Sequence, residues 1–162
     1  MRRGEQEITD QSEIESIISR AQVCRIAFLS QGEPYIVPVC FGYRQGAFYF
    51  HCAPEGRKLD MLGPGVKVCF ELEADVAVLE AKSACAWGMA YSSVIGWGSA
   101  SRVSDESERS AALDAIMSHY GGQSGPYNQK TLGRTAVVRI DIESLSCKSS
   151  QPPPQTATRT DG

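Results

Sequence analysis

The sequence holds only two histidines and no Gly-x-Ser-x-Gly elbow, so serine hydrolysis has neither its usual nucleophile turn nor a choice of bases. No apolar run approaches the roughly 18 residues of a membrane span. The opening, Met1-Arg-Arg-Gly-Glu-Gln-Glu7, has no apolar stretch of the kind a secretory signal carries. A cytoplasmic protein with no membrane partner is expected. Positive charge is not in excess either. A net charge of −3 and a pI of about 5.4 leave no basic stripe to neutralise phosphates, so no nucleic-acid partner is expected.

Closely paired cysteines are also missing. The six (Cys24, Cys40, Cys52, Cys69, Cys85, Cys147) never fall within four residues of one another, which removes the ligand spacing of zinc sites. Cys24, Cys40, Cys52 and Cys69 sit in apolar runs, where a free thiol behaves as a small hydrophobe. They are expected as reduced core residues. Without clustered histidines and carboxylates, no metal site is expected.

What is present is an ordinary globule of 162 residues, 42% hydrophobic and 22% charged, enough for one core. One domain over residues 1–147 is expected. The segment 148–162, with Pro152-Pro-Pro154 and no large apolar residue, is expected as a disordered tail. Ser12-Glu13-Ile14-Glu15 has the form of a capping box, and Ile14, Ile17, Ile18 and Ala21 continue at helical spacing, predicting a helix over 12–20. Apolar runs over 23–29, 34–41, 47–51 and 66–72, several joined by glycine-bearing turns, read as strands of antiparallel hairpins. The run 93–103 is strand-like, and its Gly96 and Gly98 mark a bulge, a bend or close approach of a ligand. Residues 74–90 are mixed and expected as a loop or insertion. Asp105 with Glu108 opens a helix to Tyr120, with Ala112, Leu113, Ile116, Met117 and Tyr120 expected inward, and 135–142 is a sixth alternating strand. The fold class is therefore mainly β: a six-stranded antiparallel barrel with capping helices. Side chains fill so small a barrel, so a ligand sits at a rim or between subunits.

One rim turn carries chemistry. The run Phe48-Tyr-Phe-His51 ends in a Pro/Gly turn, after which Gly56-Arg57-Lys58 open a helical segment at 58–62. Glycine admits close backbone approach, the N–H groups of a starting helix attract anions, and two cations add charge-assisted hydrogen bonds. This is a candidate phosphate seat; a solvated basic turn is the plain alternative. Phe41, Phe50, Trp87, Tyr91 and Trp97 offer walls for a planar ring, or pack in the core. His51 and Cys52 are adjacent on a strand and point to opposite faces, so they do not form a nucleophile pair. His119, at a helix end, is expected in a capping or surface role. A cofactor that brings its own chemistry fits best.

The ordered set Val23–Ala27, Gly32–Pro38, Phe41-Gly-Tyr43, Phe48–His51 with Glu55–Lys58, Val68–Glu71 and Ser93–Gly98 resembles the pyridoxamine 5′-phosphate oxidase-related FMN-binding split barrels, and among them the nitroimidazole-resistance (Nim-type) branch. The resemblance covers about residues 2–148. It implies a homodimer with FMN in clefts at the subunit interface. By that resemblance Gly56, Arg57 and Lys58 hold the phosphate and Ser93 assists. Pro38, Val39, Cys40 and Phe41 line the isoalloxazine, with Phe50, His51 and Trp97 close by. His51 is the candidate catalytic residue, and the implied activity is that of an oxidoreductase reducing small electron-poor, nitro-aromatic-like compounds. Some relatives bind haem, so the alternative is a haem- or flavin-binding module without turnover, with His51 as a candidate haem ligand. The Arg-x-His substrate element of the oxidase proper is not found in Val138-Arg-Ile-Asp141 or Lys148-Ser-Ser150, so vitamin B6 oxidation is not expected.

Overall fold

The computed structural model describes residues 4–150. After a two-residue strand β1 (Glu7–Ile8), helix α1 spans Gln11–Arg20 and buries Ile14, Ile17 and Ile18. Its cap is Asp10, two residues ahead of the expected Ser12: the Asp10 carboxylate accepts the Glu13 N–H at 2.9 Å. Six further strands precede the last: β2 (Cys24–Ser30), β3 (Glu33–Val39), β4 (Phe41–Arg44), β5 (Ala47–Cys52), β6 (Val66–Leu79) and β7 (Gly88–Arg102). β8 (Ala136–Ser150) closes the series. Every pairing is antiparallel, in the order β3-β2-β6-β7-β8-β5-β4, with β1 on β8.

The sheet is an antiparallel split barrel with eight strands where the sequence predicts six. The two additions are the short β1 and β4. β4 follows β3 directly in the chain, yet the two are not bonded neighbours, and the seam between them is bridged covalently by Cys40. All five phenylalanines (Phe28, Phe41, Phe48, Phe50, Phe70) are fully buried in the interior. Gly96 is explained by that packing, since a Cβ there would overlap the Phe70 ring. Gly98 lies at a register shift, where a Cβ would stand 2.5 Å from the Asp141 carbonyl oxygen. Core crowding and a bulge, rather than a ligand, account for both glycines.

Residues 74–90 are not a loop. β6 and β7 continue as a hairpin to Leu79 and Gly88, with a short turn of helix at Ala84–Ala86. The ladder slips between Ala74 and Ala77, which breaks the two-residue alternation that marks a strand in sequence. Val76, Val78, Trp87 and Met89 stand exposed on this extension.

A second apolar layer lies outside the barrel. Helix α3 (Glu106–His119), capped by Asp105 through the Glu108 N–H, packs Ala112, Leu113 and Ile116 against Ala47, Tyr49 and Val137. Val137 and Val138 are thus both buried, one on each face of β8. Met117 and Tyr120, expected inward, are about two-fifths exposed.

β8 runs beyond the expected boundary at 148. Lys148 pairs with Glu7 and with Ser93, and Ser150 with Tyr91. Ladder bonds order these polar residues, which composition alone assigns to the tail; the rest of the expected tail, 151–162, lies outside the described residues. The six cysteines are free thiols, but only Cys24 and Cys147 are buried. Cys40 is exposed, which corrects its assignment to the core, and Cys52 and Cys69 are half-buried. Burial pushes the Cys24 thiol up to about 12. Among the described residues, no helix is long and apolar enough to cross a membrane.

Candidate functional site

The rim at the C-terminal end of β5 gathers most of the residues singled out in the sequence. Phe41 and Phe50 are ladder partners, and both point into the core. Their neighbours Cys40 and His51 therefore face outward, on the same side. Both are exposed, and both line a depression of about 430 Å³ with Pro38, Val39, Cys52, Lys58 and Arg134. A volume of that order lies within the range of small-molecule sites.

A smaller recess of about 80 Å³ adjoins it, lined by Tyr35, Glu55, Gly56, Arg57 and Lys58. Cys52, Ala53 and Lys58 line both, so the two form one continuous surface. Gly56 takes φ 120°, a conformation open to glycine and strained for other residues, and a Cβ there would meet nothing within 4 Å. The glycine is thus set by backbone conformation and leaves open space beside the turn. The Arg57 guanidinium lies 4.3 Å from the centroid of the Tyr35 ring, a cation–π contact that holds its direction. Among the described residues neither Arg57 nor Lys58 makes an ion pair. The helix they open, α2 (Arg57–Asp60), is a single turn. It has too few aligned peptides for a useful dipole, so attraction for an anion at this turn rests on the two side chains.

Other cations reach the same place. Burial pushes the Cys52 thiol up, while Lys58 and Arg102 pull it in the opposite direction, which puts both charges near the rim. Cys52 pairs with Ala136, so Thr135 and Arg134 continue past the end of β5 into the depression. Neither Arg134 nor Arg102 carries a mark in the sequence; their proximity follows from the β5–β8 and β7–β8 registers.

Several expected residues do not join the site within one chain. The side chains of Phe41 and Phe50 are each 1% exposed and belong to the core, so only their backbone is available. Ser93 and Trp97 lie on the outer face of β7, nine and five residues from Arg102, or about 30 Å and 17 Å along the strand. Trp97 is exposed beside Ile95. Of the other candidate walls, Tyr91 is on β7 farther still from the rim, and Trp87 is at the hairpin tip, its indole N–H donating to the Ala81 carbonyl at 2.8 Å. His119 is not a surface cap: Nε2 stands 2.7 Å from the Ala21 carbonyl oxygen, and its ring packs tilted at 47° against Phe41, 4.2 Å between centroids.

A larger open groove of about 790 Å³ lies between α1, β4 and α3, lined in part by Ser19, Tyr43, Asp114 and His119. Asp114 there accepts the Tyr127 hydroxyl at 2.7 Å. The groove contains none of the residues singled out for ligand chemistry, and size alone does not make it the site.

The family model described as pyridoxamine 5′-phosphate oxidase matches residues 10–149. The chain belongs to this family. No curated protein matches it. Similar solved structures include a protein provisionally named a 5-nitroimidazole antibiotic resistance protein, from Bacteroides thetaiotaomicron VPI-5482. It is 29% identical, with a TM-score of 0.76 over 88% of this chain and 86% of that one. The flavocytochrome Anf3 from Azotobacter vinelandii is 22% identical, with a TM-score of 0.79 over 94% of this chain and 73% of that one. A FAD and heme binding protein from Mycobacterium smegmatis is 19% identical, also at 0.79, over 94% and 77%. At these lower identities the last two show the fold alone. Membership of the family rests on the match over residues 10–149, and the rim turn presents two cations that make no ion pair among the described residues.

Proposed function

We propose that the chain is a flavoprotein that binds FMN across the rim depression and reduces small electron-poor compounds, nitro-aromatics among them. The observation that carries this is the continuity of the outward face of Cys40 and His51 with Arg57 and Lys58, which make no ion pair among the described residues, beside the open turn at Gly56. The residues fit the group: a phosphate needs cations that no carboxylate has already claimed, and both are here. Lys58 and Arg57 would hold the phosphate, with Arg134 as a further cation, while Pro38 to Cys40 and His51 to Ala53 would bound the ring. Bound flavin supplies hydride and single-electron transfer. His51 is exposed at the mouth, where its imidazole would meet a substrate. The family match and the likeness to flavin-binding and nitroimidazole-resistance proteins support this reading.

A homodimer completes the proposal. Val76, Val78, Trp87, Met89, Ile95 and Trp97, on the β6–β7 hairpin, are each 40–56% exposed, and a group of exposed apolar side chains of this kind suits an interface. Covering that face with a second copy would give Ser93 and Trp97 a route to the other chain's rim. The test is the absorption spectrum of protein as isolated, with mass analysis of released cofactor and titration with FMN. Bound FMN, or uptake of it at micromolar concentration, is expected. Failure to take up FMN or FAD would refute the proposal.

A second reading, haem carriage without turnover, draws on the exposed position of His51 and on the likeness to a flavocytochrome. Titrating hemin into wild type and His51→Ala separates the two: a Soret band lost in the variant supports ligation by His51, and an unchanged band removes it.

A further inference from the structure

At the seam between β3 and β4 the backbone that lines the depression leaves the ladder. Cys40 is in neither strand, and β4 begins with Phe41. The Phe41 N–H donates to the Tyr120 hydroxyl at 3.1 Å, and the same hydroxyl donates to the Gln22 carbonyl at 2.8 Å. One phenol thus ties the end of α3, the approach to β2 and the seam together. Beside it, His119 packs tilted against the Phe41 ring and reaches the Ala21 carbonyl oxygen at 2.7 Å. Phe41 is gripped by ring and by amide. The ring's place is already fixed by the core, where Phe41 packs edge-on against Phe48 at 5.6 Å. What the hydroxyl adds is the rotation of the Cys40–Phe41 peptide. In a trans peptide the Cys40 carbonyl points opposite to the Phe41 N–H, so holding one fixes the other. Burial pushes the Tyr120 phenol up, and it remains a donor at neutral pH.

We infer that Tyr120 is a positioning residue for the ligand site: its hydroxyl sets the orientation of the Cys40–Phe41 peptide, and with it the backbone that faces the flavin ring. This deepens the flavin reading and rests on it. Tyr120 is far from the two cations in sequence, and among the described residues its hydroxyl bonds and ring contact are with Phe41, Gln22 and His119 rather than with His51 or the Gly56–Lys58 turn. Sequence patterns therefore give it only a place in the apolar face of α3.

The test is Tyr120→Phe, which keeps the ring and removes the hydroxyl. FMN affinity is read by fluorescence quenching, the visible bands of bound flavin by absorption, and exchange of the Phe41 amide by NMR. The expected result is Phe41 exchange faster by at least about tenfold, FMN Kd weaker by about tenfold, and shifted flavin bands. Unchanged Kd and bands with a freed Phe41 amide would reduce Tyr120 to a structural tie and overturn the inference. Wild type that binds no flavin is a different failure: it removes the flavin reading, and the inference with it. If the variant does not fold, the wild type still decides. Addition of FMN should slow Phe41 amide exchange, and no change there would overturn the coupling.

Discussion

Replacing Lys58 by Glu is the sharpest test of the phosphate seat. Lys58 is half-buried, lines both recesses, and makes no ion pair among the described residues, so its removal breaks nothing that holds the fold. Stability should move by no more than about 0.5 kcal/mol. Binding should suffer much more. A charge-assisted contact to phosphate contributes about 1.5–3 kcal/mol, and the new carboxylate adds repulsion of about 1 kcal/mol if it faces the phosphate at contact distance through water. The sum, roughly 2.5–4 kcal/mol, is a loss of about 60-fold to 1000-fold in FMN affinity. Wild-type affinity should fall with added salt, and the variant's dependence should be shallower or reversed. Fluorescence titration at two ionic strengths reads both quantities. Equal affinity in Lys58→Glu, with the fold intact by circular dichroism, would mean that the anionic end of the ligand lies elsewhere.

Four other outcomes follow from the structure. Gly56→Ala forces a Cβ into φ 120° with no clash, so a stability loss of about 1–2 kcal/mol in thermal unfolding, with weaker FMN binding, is expected. Gly42→Ala is worse, because its Cβ would stand 2.5 Å from backbone atoms of Ala115 and Ile116; α3 must move off β4, and a loss of at least about 3 kcal/mol should appear as a large drop in Tm. Thiol labelling of the native protein should tag Cys40 and Cys85 first, with Cys24 and Cys147 reacting only on unfolding, as mass mapping would show. Burial, then Glu73, raises the Glu71 carboxyl above its ordinary value despite the opposing Arg25. Its protonated form therefore favours folding. That contribution is whole below the unfolded pKa near 4.3 and is lost as pH rises through the higher folded value, so Glu71→Gln should gain relative stability over wild type on passing upward through that window.

Much of this protein could be read along the chain because its signals are local. Alternation gave β2, β3, β5 and the inner face of β8, and a capping signal (the Ser12 box for α1, Asp105 for α3) followed by helical spacing gave both helices to within two residues at their ends. The turn at Gly56-Arg57-Lys58 was legible for the same reason: a glycine and two cations in sequence are a glycine and two cations at one place in space. Reading failed where the periodicity is interrupted. The slip between Ala74 and Ala77 hid the long β6–β7 hairpin, and a polar strand end at Lys148–Ser150 passed for tail because its order comes from pairing with β7, and at Lys148 also with β1.

Other features depend on which strands become neighbours, and no single segment carries that information. The β4–β5 register buries Phe41 with Phe50 and so turns Cys40 and His51 outward together. The β5–β8 register brings Thr135 and Arg134 to the rim, and folding of α3 onto β4 takes Tyr120 to the seam. Sequence by itself determined the strand-rich composition, the two amphipathic helices and the glycine–cation turn, since each is a property of a few consecutive residues. Only the tertiary structure decided what faces that turn, because cross-strand pairing joins residues nearly a hundred positions apart.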